Sequence, residues 1–233
     1  MRSTINKPFV ILMVIAIVVI ALVSVGPTVY TLATSTGVKA EALDIDDARP
    51  ASTDLDGTWK IVPGSGRNST QVGFTFHEVL PGTRKATSGS TYAVDGTVVV
   101  ANERLQSADL VVDATSLRTD VKKRDINVAM KILHTDTYPT AEFHTTEPVD
   151  LSALPEDGTP AEVTIPGELT LHGVTHTVEP VFTVVRTGKR VLMYSTLPVN
   201  RLDYNVKTPE FVAATIAEEG ELNIRLDMEK VAQ

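Results

Sequence analysis

Glu221-Leu222-Asn223-Ile224-Arg225-Leu226-Asp227-Met228-Glu229 alternates without a break. Leu222, Ile224, Leu226 and Met228 fall on one side, and the charged and amide side chains fall on the other. Side chains of an extended chain point to opposite faces with period two, so this stretch reads as a strand with one dry and one wet face. The same rhythm occurs at Val72, Phe74 and Phe76, set between Gly73, Thr75 and His77. Further strands are predicted at Trp59–Val62, Tyr92–Val100, Ala108–Val112, Ala141–Thr145, Glu162–Leu171, Thr175–Val185, Arg190–Val199 and Phe211–Ile216. Turn signals separate them: Pro81-Gly82, Pro155-Glu156-Asp157-Gly158, His172-Gly173 and Thr187-Gly188, the last two at hairpin spacing. Asp120 to Leu133 breaks the pattern. Its Lys, Arg, Ala and Met content, with Val121, Val128, Ile132 and Leu133 as apolar positions, predicts one short helix capped by Thr119 or Asp120. The fold class is therefore all-β and antiparallel, a closed barrel or a sandwich.

Arg2 and Lys7 precede an uncharged apolar run from Phe9 to Val25. That length suits a bilayer crossing, and it exceeds the apolar core of a cleaved signal peptide. Pro27 directly after Ser24-Val25-Gly26 opposes cleavage there, and Val38-Lys39-Ala40 lies far beyond the apolar core. The expectation is a retained signal anchor. Basic residues before the run, and Glu41, Asp44, Asp46 and Asp47 after it, place the N-terminus in the cytoplasm and the rest outside. The organisation read from the sequence is a cytoplasmic 1–8, a transmembrane 9–32, a linker 33–56 and a β domain 57–233.

The 233 residues carry 29 acidic and 21 basic side chains, a net charge of -8. The part beyond Arg2 and Lys7 is more acidic still, which disfavours phosphate backbones and nucleic-acid binding. There is no cysteine, so disulfides, thiolate nucleophiles and zinc-thiolate sites are excluded. The five histidines, His77, His134, His144, His172 and His176, show no metal-ligand spacing on one element, and no metal is expected. Gly64-Ser65-Gly66-Arg67 lacks the strand-turn-helix setting of a nucleophile elbow or a phosphate loop. Asn68-Ser69-Thr70 matches the glycosylation acceptor pattern only as a three-residue string. Arg124-Asp125 has two readings, a lipid headgroup contact or a structural ion pair. The stripe Val72, Phe74, Phe76 has two as well, the wall of a ligand cavity or a filled core.

Taken together, Val72-Gly73-Phe74-Thr75-Phe76-His77-Glu78, Val112-Asp113-Ala114-Thr115-Ser116-Leu117-Arg118-Thr119-Asp120, Arg124-Asp125, Thr137-Tyr138-Pro139-Thr140-Ala141-Glu142-Phe143 and Gly167-Glu168-Leu169-Thr170-Leu171-His172-Gly173-Val174-Thr175 resemble, in order and spacing, the YceI-like family of bacterial lipocalin-like proteins. The resemblance covers roughly residues 58–231. It implies an antiparallel eight-stranded lipocalin-like barrel with an apolar lumen, in which some members bind a polyisoprenoid such as an isoprenoid quinone or a prenyl lipid. Many members are periplasmic. Two places depart from the family pattern: Asn68-Ser69 replaces His-Ser, and Asn127–Leu133 replaces a Phe-rich stretch.

The expected function is that of a membrane-tethered, extracytoplasmic lipid-binding protein, not an enzyme. It needs no cofactor beyond a bound isoprenoid lipid or quinone. Alternation assigns Val72, Phe74, Phe76 and Val112 to the lumen, with Phe143, Leu169 and Leu171. Phe182, Leu222, Ile224 and Leu226 complete the set. The rival readings are a cell-envelope interaction or stress-protection module with a filled core and, less favoured, a hydrolase.

Overall fold

The computed structural model describes residues 7–34, 36–80, 83–208 and 215–232. Two compact units result, Met1–Ser35 and Thr36–Gln233. The first is a helix, α1 (Lys7–Thr34), with Pro27 inside it. Its described side chains begin at Ile11, and Ile11, Leu12, Ile15, Val18, Leu22 and Val25 are all exposed. Among the described residues no helix is long and apolar enough to cross a membrane. The structure thus supplies the helix expected over 9–32 but not its transmembrane character.

The second unit is all-β. Among the described residues thirteen strands join one antiparallel sheet that curls around an apolar interior. They are β1 (Gly57–Val62), β2 (Gln71–Leu80), β3 (Thr83–Thr91), β4 (Val94–Ala101), β5 (Arg104–Asp113), β6 (Thr140–Thr145) and β7 (Val149–Asp150). The remainder are β8 (Ala161–Thr164), β9 (Gly167–Leu171), β10 (Val174–Val178), β11 (Val181–Thr187), β12 (Arg190–Asn200) and β13 (Thr215–Lys230).

The spine of the sheet is β13. Its alternating sequence pairs along one edge with β12, from Asn200 opposite Glu219 to Arg190 opposite Glu229. Its other edge is shared: β2 takes the first part, and β1 takes Asp227 to Lys230. Of the predicted strand Phe211–Ile216, residues 211–214 lie outside the described residues, and Thr215 and Ile216 open β13. The predicted strands Glu162–Leu171 and Thr175–Val185 are each split in two by a proline-containing step, β8 to β9 and β10 to β11. A proline nitrogen donates no ladder bond, so Pro166 and Pro180 interrupt the run. The register survives the interruption. Val174 lies opposite Leu171, Val181 lies opposite Thr164, and between them the Ile165 amide donates to the Pro180 carbonyl at 3.0 Å.

The helix α2 (Lys122–Asn127) starts two residues later than the predicted segment and passes into a π-helical turn over Val128–Ile132. Its N-cap is Val121, without a side-chain bond. Thr119 still fixes the entry, because its amide and hydroxyl donate to the Asp125 carboxylate at 2.6 and 2.7 Å.

The stretch expected as a linker, 33–56, begins with the last two residues of α1 and is bound to the domain over 36–56. The Val38 amide donates to the Ser88 carbonyl at 3.2 Å, and the Ser88 amide donates to the Thr36 carbonyl at 2.9 Å, so the strap covers the outer edge of β3. Ala40 is 0% exposed, and Leu55 enters the core cluster. Asn68, the would-be glycosylation residue, holds both backbone groups of Asp44 with its amide side chain, at 2.9 and 2.7 Å.

The strap covers a polar face. The Asn223 side chain is 0% exposed, and Gln71, Thr75, Ser88, Ser90, Arg225 and Asp227 are buried with it. Burying such groups is costly unless they are bonded, and here they bond one another. Thr75 Oγ1 donates to Asn223 Oδ1 at 2.7 Å, Gln71 Nε2 donates to Ser90 Oγ at 2.7 Å, and Arg225 donates to Ser69 O, Glu41 O and Gln71 Oε1. Outward period-two positions read as wet are therefore dry, because the strap and the 63–70 loop lie over them. Gly64, at φ +67, passes so close to this layer that a Cβ there would sit 2.3 Å from Asp227 Oδ2, so only glycine fits.

Candidate functional site

Cross-strand register settles which side chains share the inner face. Ile224 lies opposite Val72 and Leu222 opposite Phe74, while Gly220 lies opposite Phe76. A Cβ on Gly220 would strike the Phe76 ring at 2.4 Å, so this glycine makes room for the aromatic wall. Val112 lies opposite Val94 and Ala141, Phe143 lies opposite Leu110 and Leu169, and Phe182 lies opposite Val163. All eleven residues singled out in the sequence belong to this face or to the two apolar clusters that fill it.

The two ends of the interior differ. At one end Trp59, Val100, Leu105, Phe182, Val184, Val191, Leu226 and Met228 are fully buried against one another. Val72, Phe143 and Ile224 are half-buried against that cluster. At the other end Leu169, Leu197, Val199, Tyr204 and Val206 are buried. Phe76, Leu171, Leu222, Ile132 and Leu133 pack half-buried on them. Phe143 touches both clusters. Phe74 and Val112 are half-buried and belong to neither cluster, although the Phe74 and Phe76 rings lie 6.3 Å apart. The first end is thus a filled core, while the wall of β2 and the facing part of β13 leave apolar side chains incompletely covered.

The sequence reading missed several contributors. Trp59 was read only as a strand residue, yet it is 2% exposed, and its Nε1 donates to the Leu55 carbonyl at 2.8 Å. Tyr204 and Val206 come from a loop without periodicity, held by Arg201, which donates to the carbonyls of Ala217, Val206 and Ile216. His176 sits on β10 opposite Leu169, and its ring meets Tyr204 edge-on at 5.0 Å.

His172 and Gly173 form the expected two-residue hairpin turn, with φ +50 and +74. The His172 ring packs on Tyr138 at 4.2 Å and lies 5.8 Å from His134. Neither of its nitrogens has a hydrogen-bond partner among the described residues. Burial pushes this imidazole below its ordinary pKa, and the charge of His134 adds to the shift. A neutral ring in an apolar contact is what that environment favours. Among the described residues no three His, Asp or Glu side chains come together to hold a metal ion.

Arg124 and Asp125 do not pair with each other. Arg124 bonds Asp120 at 2.9 Å, and Asp125 accepts from Thr119. Outside the interior, the strap and the outer wall border an open pocket of about 590 Å³ lined by residues including Lys39, Glu41, Asp44, Arg67, Gln71 and Arg225. Its charges are largely tied internally, Lys39 to Glu221 at 2.5 Å and Arg67 to Asp44 at 2.9 Å.

The second unit is thus an antiparallel sheet curled around an apolar interior. The YceI-like domain family matches residues 59–228, and the chain belongs to that family. Among solved structures, a polyisoprenoid binding domain from Saccharophagus degradans implicated in plant cell wall breakdown is 19% identical. It superimposes with a TM-score of 0.60, covering 74% of this chain and 98% of that one. Burkholderia cenocepacia BcnA is 22% identical with a TM-score of 0.55, covering 67% of this chain and 95% of that one. At these identities the likeness concerns the fold. No curated protein matches the chain.

Proposed function

We propose that the domain binds the hydrocarbon chain of an isoprenoid-type lipid between β2, β6, β9 and the first half of β13, and that α1 tethers it to a membrane with the domain outside the cytoplasm. The observation that carries the binding reading is the inward-facing but half-buried set Phe74, Phe76, Phe143, Leu171 and Leu222. A chain laid against these side chains removes their remaining apolar surface from water, at about 25 cal/mol per Å². Membership of the YceI-like family, and the polyisoprenoid binding described for the Saccharophagus domain, support the same ligand class.

In this reading the curled sheet acts as a closed barrel. The kinked hairpin of β8–β9 with β10–β11 keeps one register, and it carries the pairing from β6 to β12. From β12 the pairing continues through β13, β1, β4 and β5 back to β6, which makes eight strands in the ring. Closure removes free edges and leaves an interior wide enough for one small ligand. The tether is supported by the uncharged run Phe9–Val25 and by the apolar side chains of α1 exposed on every described side.

Mass spectrometry of an organic extract of the purified protein, made in a host with its own isoprenoids, tests the binding reading. A stoichiometric isoprenoid is the expected result. A clean extract from well-folded protein, followed by failure to take up added prenyl lipids, would refute it. Alkaline carbonate extraction of membranes tests the tether, with the full chain expected in the pellet and a chain lacking residues 1–34 in the supernatant.

A further inference from the structure

The helical segment formed by α2 and the π-helical turn has two unlike sides. Arg124 and Val128 are buried, and Ile132 and Leu133 pack on the second apolar cluster together with Phe76, Leu171 and Leu222. Lys122, Ile126 and Met130 follow at intervals of four on the outer side, with Lys123 and Lys131 next to them, and all five are exposed. Ile126 is 52% exposed and Met130 is 68% exposed. Among the described large hydrophobic side chains of the second unit, only Tyr92 is likewise more than half exposed. Packing within the domain accounts for the apolar residues on the inner side and leaves these two outer ones without a role.

The outer side is also basic. Lys122, Lys123 and Lys131 take part in no ion pair among the described residues. The nearby carboxylates are engaged elsewhere, Asp120 with Arg124 at 2.9 Å and Asp125 with Thr119. Three lysines therefore face solvent together on a chain of net charge -8. The place is also close in chain to α1. The Gly37 amide donates to Asp120 Oδ2 at 3.2 Å, which ties the start of the strap to the entry of α2. Gly37 follows Thr34, the last residue of α1, by three positions. An extended chain spans at most about 3.6 Å per residue, so a membrane that holds α1 is only a short length of chain from α2.

We propose that the outer side of α2 and the π-helical turn docks on the surface of an anionic bilayer, with Ile126 and Met130 entering the acyl boundary and Lys122, Lys123 and Lys131 lying among the headgroups. Apolar side chains flanked by lysines are the pattern of helices that lie in a membrane interface. Basic residues close to an anionic leaflet add electrostatic attraction. The tether keeps the surface at high effective concentration, so a small face suffices. The inner side of the same segment shares a cluster with Phe76, Leu171 and Leu222. Docking therefore sets one wall of the apolar interior against the phase in which a lipid ligand is dissolved. This inference rests on the tether proposed above and adds a second, charge-dependent contact that the tether does not require.

The chain has no cysteine, so a single fluorescent label can be attached at one chosen position. The test uses the full chain in nanodiscs of phosphatidylcholine, with or without phosphatidylglycerol, that contain nitroxide-labelled lipid. The label is placed through Met130→Cys and, as the control, through Lys60→Cys, an exposed position on β1. Nitroxide lipid should quench the label at 130 in the anionic discs and leave the label at 60 bright. Lys122→Gln and Lys123→Gln should each lower the ratio of docked to undocked protein about fivefold, and high salt should lower it too. Circular dichroism verifies that every variant is folded. Equal quenching at the two positions, in a chain retained by the discs, overturns the docking and leaves the tether standing. Quenching that ignores lipid charge and both lysine variants overturns the anionic surface. A label at 130 that is shielded from water but not quenched by lipid overturns the docking in favour of a protein partner. A chain that does not enter the discs overturns tether and docking together.

Discussion

Replacing Arg190 with methionine should destabilise the domain in a pH-dependent way. Asp227 is buried on the outer face of β13, where Arg190 donates to its Oδ2 at 2.6 Å and also pairs with Glu229. Asp227 Oδ1 is buried and has no hydrogen-bond partner among the described residues. Burial pushes this carboxyl above its ordinary pKa, Glu229 adds to the shift, and Arg190 opposes it. An acid whose folded pKa is raised is penalised when ionised. That penalty is fully present above the folded pKa and disappears as the pH falls below the ordinary carboxylate value.

Removing the arginine deepens the penalty at neutral pH. Breaking a buried pair costs about 3–5 kcal/mol, and Arg190 is partly exposed, so about 2–3 kcal/mol is expected here. That is a large share of a typical domain stability of about 5–15 kcal/mol. The assay is urea unfolding followed by the fluorescence of Trp59, the single tryptophan. Arg190→Met should lose that amount at pH 7, less at pH 4, and regain most of it in the double variant Arg190→Met/Asp227→Asn. A loss that is equal at both pH values, or a double variant no more stable than the single one, would refute the burial argument.

Three further outcomes are expected. Phe74→Asp places a charge on the half-buried inner wall and should abolish retention of a bound lipid in extracts, whereas Lys60→Ala on the outer face should not; equal retention would invert the face assignment. Ala40→Asp, at a position with no exposure, should release the strap and cost about 2–3 kcal/mol, read as fast hydrogen exchange at Val38 and Ser88; unchanged protection would show that the strap is not held there. The His144 pKa is raised chiefly by its hydrogen bond to Asp109 at 2.8 Å. Its pair therefore stabilises the fold below the ordinary histidine value and stops doing so as the pH rises through the folded value; Asp109→Asn should lower the NMR titration midpoint of His144, and an unmoved midpoint would sink the pairing.

Alternation read the face of β13 correctly because Leu222, Ile224 and Leu226 are inward in the register. His172-Gly173 was legible as a hairpin turn because two consecutive positive-φ positions demand such residues. The strand β3, Thr-Arg-Lys-Ala-Thr-Ser-Gly-Ser-Thr, was not legible at all. It has no apolar rhythm, because one face meets the strap and the other carries Lys85 and Thr87. The strap failed for the same reason: its burial at Ala40 is bought by partners such as Ser88, Asn68 and Glu221, far away in sequence. Of the candidate site, the aromatic wall could be read from period two, whereas Tyr204 and Val206 depend on a loop whose position only tertiary contacts fix.

The central place of β13 also governs how the domain comes into being. Its last residue, Lys230, stands opposite Trp59 of β1, so the two ends of the domain meet there. A ring of strands that needs this pairing gains little from its earlier hairpins until the late strand arrives, and such non-local pairings form slowly. Nascent chain is therefore expected to stay unfolded, with β2 and β12 lacking their shared neighbour, until residues beyond 215 are free. A polypeptide that delays its own folding in this way remains threadable during synthesis, and its exposed strand edges call for a chaperone or a translocation channel in the meantime.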